Sequence, residues 1–425
     1  MTDTLAIETS GPLDGSIRPP GSKSITNRAL ICAAAAEGPS RLTGALASDD
    51  TRVIVEALRS IGIDVHAFDG GSTLEVDGCG GYVPMSDGEL FVGNSGTTVR
   101  FLTALLAAIG RGRYRLHGTP RMHERPIADL LTTLTELGGN VGSESSTGCP
   151  PVVVERSRLR GGAASVRGDV SSQFLSGLLM ALPYAVHPTT LHVAGPLVSQ
   201  PYVRMTLAVM RAFGIEATAA DDLSQFEIPH GRYCGIDYGI EPDASAASYF
   251  FAAAAITGGR VKVEDLSRGS LQGDVAFVDV LEQMGCTVID DPHSIAVTAG
   301  KLRGITVDMN AISDTVQTLA AVALFADGPT EITGVAHIRH KETDRIAALA
   351  TELRKLGATV DERTDGLRIT PGALHGATID TYDDHRMAMS LALAGLRVPG
   401  VVIRDPGCTA KTYPGFFADL ARLRR

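Results

Sequence analysis

RSIGIDV (59–65) is the stretch on which the fold turns, because it returns. TELGGNV (135–141), RAFGIEA (211–217), LEQMGCTV (281–288) and LRKLGATV (353–360) repeat its form: the end of an amphipathic helix, an apolar residue, a glycine, then a strand-like segment. The glycines Gly62, Gly138, Gly214, Gly285 and Gly357 stand 76, 76, 71 and 72 residues apart. A glycine just past the last apolar residue of a helix fits the left-handed position that ends many helices, because it lacks the Cβ that makes a positive φ costly. Self-similarity at a steady period marks a chain assembled from copies of one supersecondary unit.

Out of phase with this element runs a second, a helix of small apolar residues that opens in polar ones. Its six copies open near Ser24, Asn94, Ser171, Asp243, Ser313 and Asp383, and their bodies read ALICAAAA, VRFLTALLAAI, FLSGLLMAL, SYFFAAAAI, VQTLAAVALFA and MAMSLALAGL. Helices apolar on nearly every side are buried helices. Stops are expected at Gly38, Gly110, Gly258, Gly328 and Pro183. Between the helices, STLEVDG, PPVVVERS, QFEIPHG, SIAVTAG and GLRITPG alternate as strands do. The reading is an α/β chain of six units, each with strands, one buried helix and one half-exposed helix, the last unit truncated after PGFFADLARL.

Composition limits what such a chain does. Apolar residues make up 44% and aromatic residues 5%, so the cores are built from Ala, Leu, Val and Ile. A formal net charge of -10 argues against nucleic acid or an anionic membrane as main partner, though not against small anions held by local clusters. Six scattered cysteines without a CxxC pair suit a reduced, cytoplasmic protein without a structural zinc site. The start MTDTLAIETSG has no basic segment leading into an apolar run, so no secretory signal is expected, and no apolar stretch is long enough for a membrane span.

The polar helix starts carry the chemistry. A helix N-terminus offers free N–H groups and partial positive charge, and several together make an anion site. PPGSKSITNRAL puts Lys23, Ser24 and Arg28 at one start; it departs from the Walker pattern, so a generic anion site fits better than a nucleotide loop, and a solvated Lys and Arg fits as well. GNSGTTVRFL puts Asn94, Gly96 and Thr97 at another, and GTPRMHERPI adds Arg121, His123, Glu124 and Arg125, also readable as an exposed charged loop. RGDVSSQFLSGLL offers Ser171, Ser172 and Gln173, more polar groups than an N-cap needs, and SQPYV adds Ser199 and Tyr202. In the second half, NAISDTVQ holds Asp314, and HIRHKETDRI holds Arg339, Lys341, Glu342, Asp344 and Arg345. YDDHRMAMS then holds His385 and Arg386, and DPGCTAKTYPGFF holds Lys411. A carboxylate among cations stays ionised and can act as a base, whereas one in a drier place can hold a proton; a salt-bridged surface helix is the alternative for KETDR.

Taken in order, PPGSKSITNRAL, GNSGTTVRFL, PRMHERPI, SSQFLSGLL, KETDRIAALATELRKLGA, DDHRMAMS and DPGCTAKTYPGFF make the whole chain resemble the EPSP synthase family. That resemblance implies a two-domain inside-out α/β barrel of six strand–helix units, of the enolpyruvyl transferase type. One domain would take residues 1–19 and 241–425 and the other 20–240, with the active site in the cleft between. It implies transfer of the enolpyruvyl group of phosphoenolpyruvate to the 5-hydroxyl of shikimate 3-phosphate by addition and elimination, without metal or organic cofactor, by a cytoplasmic monomer.

The resemblance also implies roles. Lys23 matches a lysine that touches both substrates, Asp314 a proton-accepting carboxylate, and Glu342 its partner acid near the methylene carbon. Ser24, Arg28, Ser171, Ser172, Ser199, Tyr202, His337 and Lys341 match the shikimate 3-phosphate side, with Asp314 bonded to the ring. Asn94, Gly96, Thr97, Arg125, Gln173, Arg345, Arg386 and Lys411 match the phosphoenolpyruvate side, and His385 a position behind the contacting groups. Two positions depart from the family pattern: His337 stands where some relatives carry Asn, and Phe101 replaces a Pro behind the Gly96–Thr97 turn, which bears on the response to glyphosate. UDP-N-acetylglucosamine enolpyruvyltransferases, the nearest alternative, typically carry a reactive Cys around RYRLHGTPRMHERP; this chain has none there.

Overall fold

The computed structural model describes residues 3–156 and 158–424. The chain divides into two compact units, Met1–Pro20 with Glu241–Arg425, and Gly21–Ile240. Each has its own apolar core.

One motif builds both. In the second repeat of the Gly21–Ile240 unit, strand Asp87–Phe91 leads through helix Gly96–Ile109 to strand Arg113–His117, which lies parallel to the first. Parallel neighbours need such a crossover, and a buried helix supplies it. The half-exposed helix Ala128–Glu136 follows, and a hairpin of Asn140–Ser143 and Val152–Glu155 adds two antiparallel strands to the same sheet. Five sheets share this four-strand order, and a sixth has three strands. Strands alternate in burial, so each sheet turns one face inward onto the helices.

The three buried helices of the Gly21–Ile240 unit are Lys23–Ala35, Gly96–Ile109 and Ser172–Ala181; those of the other are Ala244–Thr257, Val316–Ala323 and His385–Gly395. Within each unit they pack on one another, inside their sheets. Ala244–Thr257 is buried along its whole length, as its composition demands. The five repeat glycines all have positive φ, from 85° at Gly62 to 111° at Gly285, so each closes its helix in the conformation expected of it.

Local expectations needed correction at three points. Gly38 does not stop the first buried helix, which ends at Ala35, and lies inside strand Glu37–Thr43; nor does Gly328 stop helix Val316–Ala323. Near Ser313 a 3-10 segment, Asn310–Thr315, kinks at Ile312 (φ -125°, ψ 40°), and the α-helix begins only at Val316. The last repeat is completed from the other end of the chain: Thr4–Ala6 pairs antiparallel with Val402–Arg404. The Gly21–Ile240 unit is itself inserted into a crossover, between strand Asp14–Ile17 and helix Ala244–Thr257. Where the chain leaves and re-enters, Asp243 N–H donates to the Pro20 carbonyl at 2.8 Å. Among the described residues no helix is long and apolar enough to cross a membrane.

Candidate active site

In the Gly21–Ile240 unit the starts of the buried helices gather. Ser22 caps the first, its Oγ accepting from Ile25 N at 3.4 Å, which sets Lys23 in the first turn. Lys23 Nζ lies 3.9 Å from Asp50 Oδ2, and neither side chain is more than 14% exposed. Asn27 Nδ2 donates to Thr97 Oγ1 at 2.7 Å, tying the first helix start to the second. Ser95 caps that second helix. Gly96 follows, and a Cβ there would sit 2.5 Å from Arg125 Nη2 and 2.7 Å from Arg100 Nη1. A larger residue there would make both guanidinium groups shift away from this helix start. Arg125 Nη1 in turn donates to the Asn94 carbonyl at 2.8 Å and to Asn94 Oδ1 at 3.2 Å.

Arg100 organises the third start. Its Nη1 donates to Gln173 Oε1 at 2.6 Å, its Nη2 to the Pro126 carbonyl at 2.8 Å, and its guanidinium lies over the Phe174 ring. Sequence reading passed over it, although a lone Arg in VRFLTALL is the visible signal of a buried charge with a task. Ser171 caps helix Ser172–Ala181 by accepting from Gln173 N, and Ser172 is buried beside it. Ser199 is held in the left-handed region at φ 53° before helix Gln200–Ala212.

Arg28 is 1% exposed. It donates to Thr206 Oγ1, the Ser24 carbonyl, Ser176 Oγ and the Tyr202 carbonyl, and lies between the Phe101 and Tyr202 rings. Burial pulls its pKa down to about 10, still leaving it charged at neutral pH. Four of its five N–H groups are thus committed, so it orients Ser24 and Tyr202. The other cation at this helix start is Lys23, beside Asp50.

In the other unit, three carboxylates and three cations interlock. Arg345, 1% exposed, donates through Nε to Asp384 Oδ2 at 2.8 Å and through Nη2 to Asp384 Oδ1 at 3.2 Å and Glu342 Oε2 at 2.9 Å, while Nη1 reaches Asp314 Oδ1 at 3.3 Å. Burial pulls the Arg345 pKa down, but Asp384, Glu342 and Asp314 outweigh it and hold the guanidinium above its ordinary value. Arg386 donates through Nη2 to Asp314 Oδ2 at 2.7 Å and through Nη1 to the Asp314 carbonyl at 3.0 Å. Lys411 Nζ stands 3.4 Å from Glu342 Oε1. Asp384, which sequence reading left out, is fully buried; it also caps helix His385–Gly395 through Arg386 N. Its position is prepared by Tyr382 and Asp383, both at positive φ, a conformation that L residues hold only when their surroundings impose it.

His385 is fully buried, Nδ1 3.7 Å from Asp384 Oδ1. His337 is 5% exposed, and burial, then the charge of Lys341, pushes its pKa down to about 3, so it is a neutral ring. Lys341 ends the 3-10 turn that carries His337. Arg339 and Asp344, by contrast, pair with each other and with Glu362 and the cap of helix Arg345–Lys355. Within KETDR, Glu342 and Arg345 therefore enter the charged cluster while Asp344 serves its own helix. Arg121 likewise pairs with Glu124 on an exposed turn.

Chemically, Asp314 is a carboxylate gripped by two guanidinium groups, and Glu342 bridges a guanidinium and an ammonium. The cations Arg345, Arg386 and Lys411 can trade these carboxylates for an anionic ligand. A model of the EPSP synthase (3-phosphoshikimate 1-carboxyvinyltransferase) family matches residues 7–420. A 3-phosphoshikimate 1-carboxyvinyltransferase of Trichormus variabilis is 49% identical over 424 residues, covering 99% of each chain. That of Nostoc punctiforme is 50% identical over 418 residues, 98% of each. The solved EPSP synthase of Acinetobacter baumannii superposes with a TM-score of 0.82 at 27% identity, over 100% of this chain and 98% of that one. The enolpyruvyl transferase NikO of Streptomyces tendae shares the fold at a TM-score of 0.80 and 22% identity. With its model matched almost from end to end and relatives near half-identical over the full length, the chain belongs to the EPSP synthase family.

Proposed function

We propose that the chain transfers the enolpyruvyl group of phosphoenolpyruvate to the 5-hydroxyl of shikimate 3-phosphate, releasing phosphate, as a step toward aromatic amino acids. The observation that carries this is the pair of carboxylates, Asp314 and Glu342, each held by its own cations and joined through Arg345. The reaction needs two proton-handling groups. In the addition, the 5-hydroxyl oxygen bonds to C2 of phosphoenolpyruvate, its proton leaves to Asp314, and the methylene carbon receives one from Glu342. In the elimination, the C2–phosphate bond breaks, the new methyl group returns a proton to Glu342, and the departing phosphate takes the proton held by Asp314. Protons balance over the two steps.

Lys23, Asn94, Gly96, Thr97, Arg125, Gln173, Arg345, Arg386 and Lys411 are assigned to phosphoenolpyruvate. Ser24, Ser171, Ser172, Ser199, Tyr202, His337, Lys341 and Asp314 are assigned to shikimate 3-phosphate, with Lys23 touching both. Arg28 is assigned to the shikimate 3-phosphate side as well, and it also holds Ser24 and Tyr202 in place. Arg forks suit phosphate and carboxylate because they bond two oxygens at once. His337, neutral, can donate one hydrogen bond to a ring hydroxyl without adding charge. The test is phosphate release from phosphoenolpyruvate with and without shikimate 3-phosphate. Release only when both are present is the expected result; release requiring UDP-N-acetylglucosamine instead would overturn the assignment.

A further inference from the structure

Away from the helix starts around Lys23, the end of helix Gly96–Ile109 lines a cavity of about 750 Å³ within the Gly21–Ile240 unit. Arg111, Arg156, Arg158, His230 and Arg232 line it, and among the described residues no carboxylate does. Cations near helix C-termini commonly satisfy the last carbonyls. Here those carbonyls are taken by other donors: Leu106 O by Gly110 N, Ile109 O by Val83 N, Ala36 O by Gly80 N and Ala35 O by the Tyr184 hydroxyl. Among the described residues, Arg111, Arg156 and Arg158 enter no side-chain ion pair. Arg232 is paired, with Glu37, and lies over the Tyr82 ring at 5.8 Å. His230 Nδ1 stands 2.6 Å from the Ala185 carbonyl, which fixes the ring against the wall. Tyr82 is 60% exposed at the rim, with the Arg232 guanidinium over its ring.

We propose that this cavity is a second binding site, separate from the Lys23 half-site and not dependent on the catalytic reading above, for a small organic anion carrying two or more phosphate charges and a ring. The volume lies in the range of small-molecule sites and exceeds what inorganic phosphate fills. Three arginines without carboxylate partners supply charge and forks for phosphate oxygens. The Tyr82 face supplies a surface on which a ring can lie.

The test uses the full chain and ADP as probe, in calorimetric titration at low ionic strength. Wild type should bind ADP saturably, and Arg111→Ser/Arg156→Ser should weaken it by about tenfold or more, the loss of two charge-assisted contacts. kcat and both KM values should not move, and neither should the melting temperature. The single charge reversal Arg111→Glu, a second route to the same loss, should weaken ADP at least as much as the removal of one contact. Pyrophosphate should bind more weakly than ADP. Absence of saturable ADP binding, or undiminished binding in the double variant, would overturn the site; pyrophosphate binding as tightly as ADP would overturn the role given to the ring.

Discussion

Replacing Asp384 by Asn isolates the charge at the centre of the Asp314–Glu342–Arg345 cluster. Asn keeps the shape and can still cap helix His385–Gly395, so what changes is the pairing with Arg345. Two bonds, at 2.8 and 3.2 Å, join that carboxylate to a guanidinium whose side chain is 2% exposed, against 0% for Asp384. The amide oxygen can accept one of them; the amide N–H group then faces the other donor. Three cations would remain against two carboxylates in a place with little water. Removing one partner of a buried pair typically costs about 3 to 5 kcal/mol, and the isosteric Asn places this change at the lower end, about 3 kcal/mol. Each 1.4 kcal/mol is tenfold, so amide hydrogen exchange in the helix His385–Gly395 should speed up by about 10²-fold, with a parallel fall in the urea midpoint. Asp384→Ala should lose about 1 kcal/mol more, because the cap goes as well. Exchange in the Asn variant within about threefold of wild type would refute the reasoning, since the charge on Asp384 would then add little to the hold on Arg345.

Asp314→Ala should lower kcat by on the order of 10² or more with substrate binding largely intact, as for a lost proton acceptor; an unchanged kcat in steady-state assays would remove Asp314 from the mechanism. Arg386→Lys keeps the charge but can bond only one of the two oxygens that Arg386 now holds on Asp314. The KM for phosphoenolpyruvate should rise at least about tenfold, while the Kd for shikimate 3-phosphate, titrated alone, stays within about threefold. Equal losses on both substrates would contradict the division of contacts. Burial pushes the His337 pKa from about 6.5 in the unfolded chain down to about 3, so between those values the unfolded chain binds the extra proton. Its contribution to stability is thus full above about pH 6.5 and is lost as pH falls toward 3. His337→Gln should flatten the stability profile between about pH 6 and pH 4, and an unaltered slope in urea titrations would exclude His337 as its source.

What was legible in the sequence has a local cause. The repeat glycines could be read because a left-handed residue is a requirement of the backbone at one position, independent of what packs nearby. The buried helices could be read because ASAASYFFAAAAIT has no polar face to offer water. The pairing of Thr4–Ala6 with Val402–Arg404 could not, because edge strands three residues long carry no mark of a partner at the other end of the chain. Among the site residues, charged groups at helix starts were visible, but not what each was spent on. Arg28 stands at a helix start, and its bonds to Ser24, Thr206, Ser176 and Tyr202 join residues up to 178 positions apart. Asp384, unremarked in the sequence, caps helix His385–Gly395 and also neutralises Arg345 from 39 residues away. Such assignments depend on which side chains tertiary packing brings together, which local pattern does not encode.

The insertion of one unit into the other sets an order on the making of the protein. Ribosomes deliver residues from the N-terminus, so Thr4–Ala6 and Asp14–Ile17 emerge first, yet their sheet partners, Val402–Arg404 and Arg260–Glu264, are the last and the middle of the chain to be translated. The Gly21–Ile240 unit, contiguous in sequence, is complete before helix Ala244–Thr257 exists. During most of synthesis the opening segment therefore waits beside an already finished neighbour with its backbone hydrogen bonds unmet. Thr4–Ala6 reads TLA, three residues and a single large apolar side chain. So short a strand is a poor template for edge-to-edge pairing with other nascent chains, which suits a segment that must wait so long for its partner.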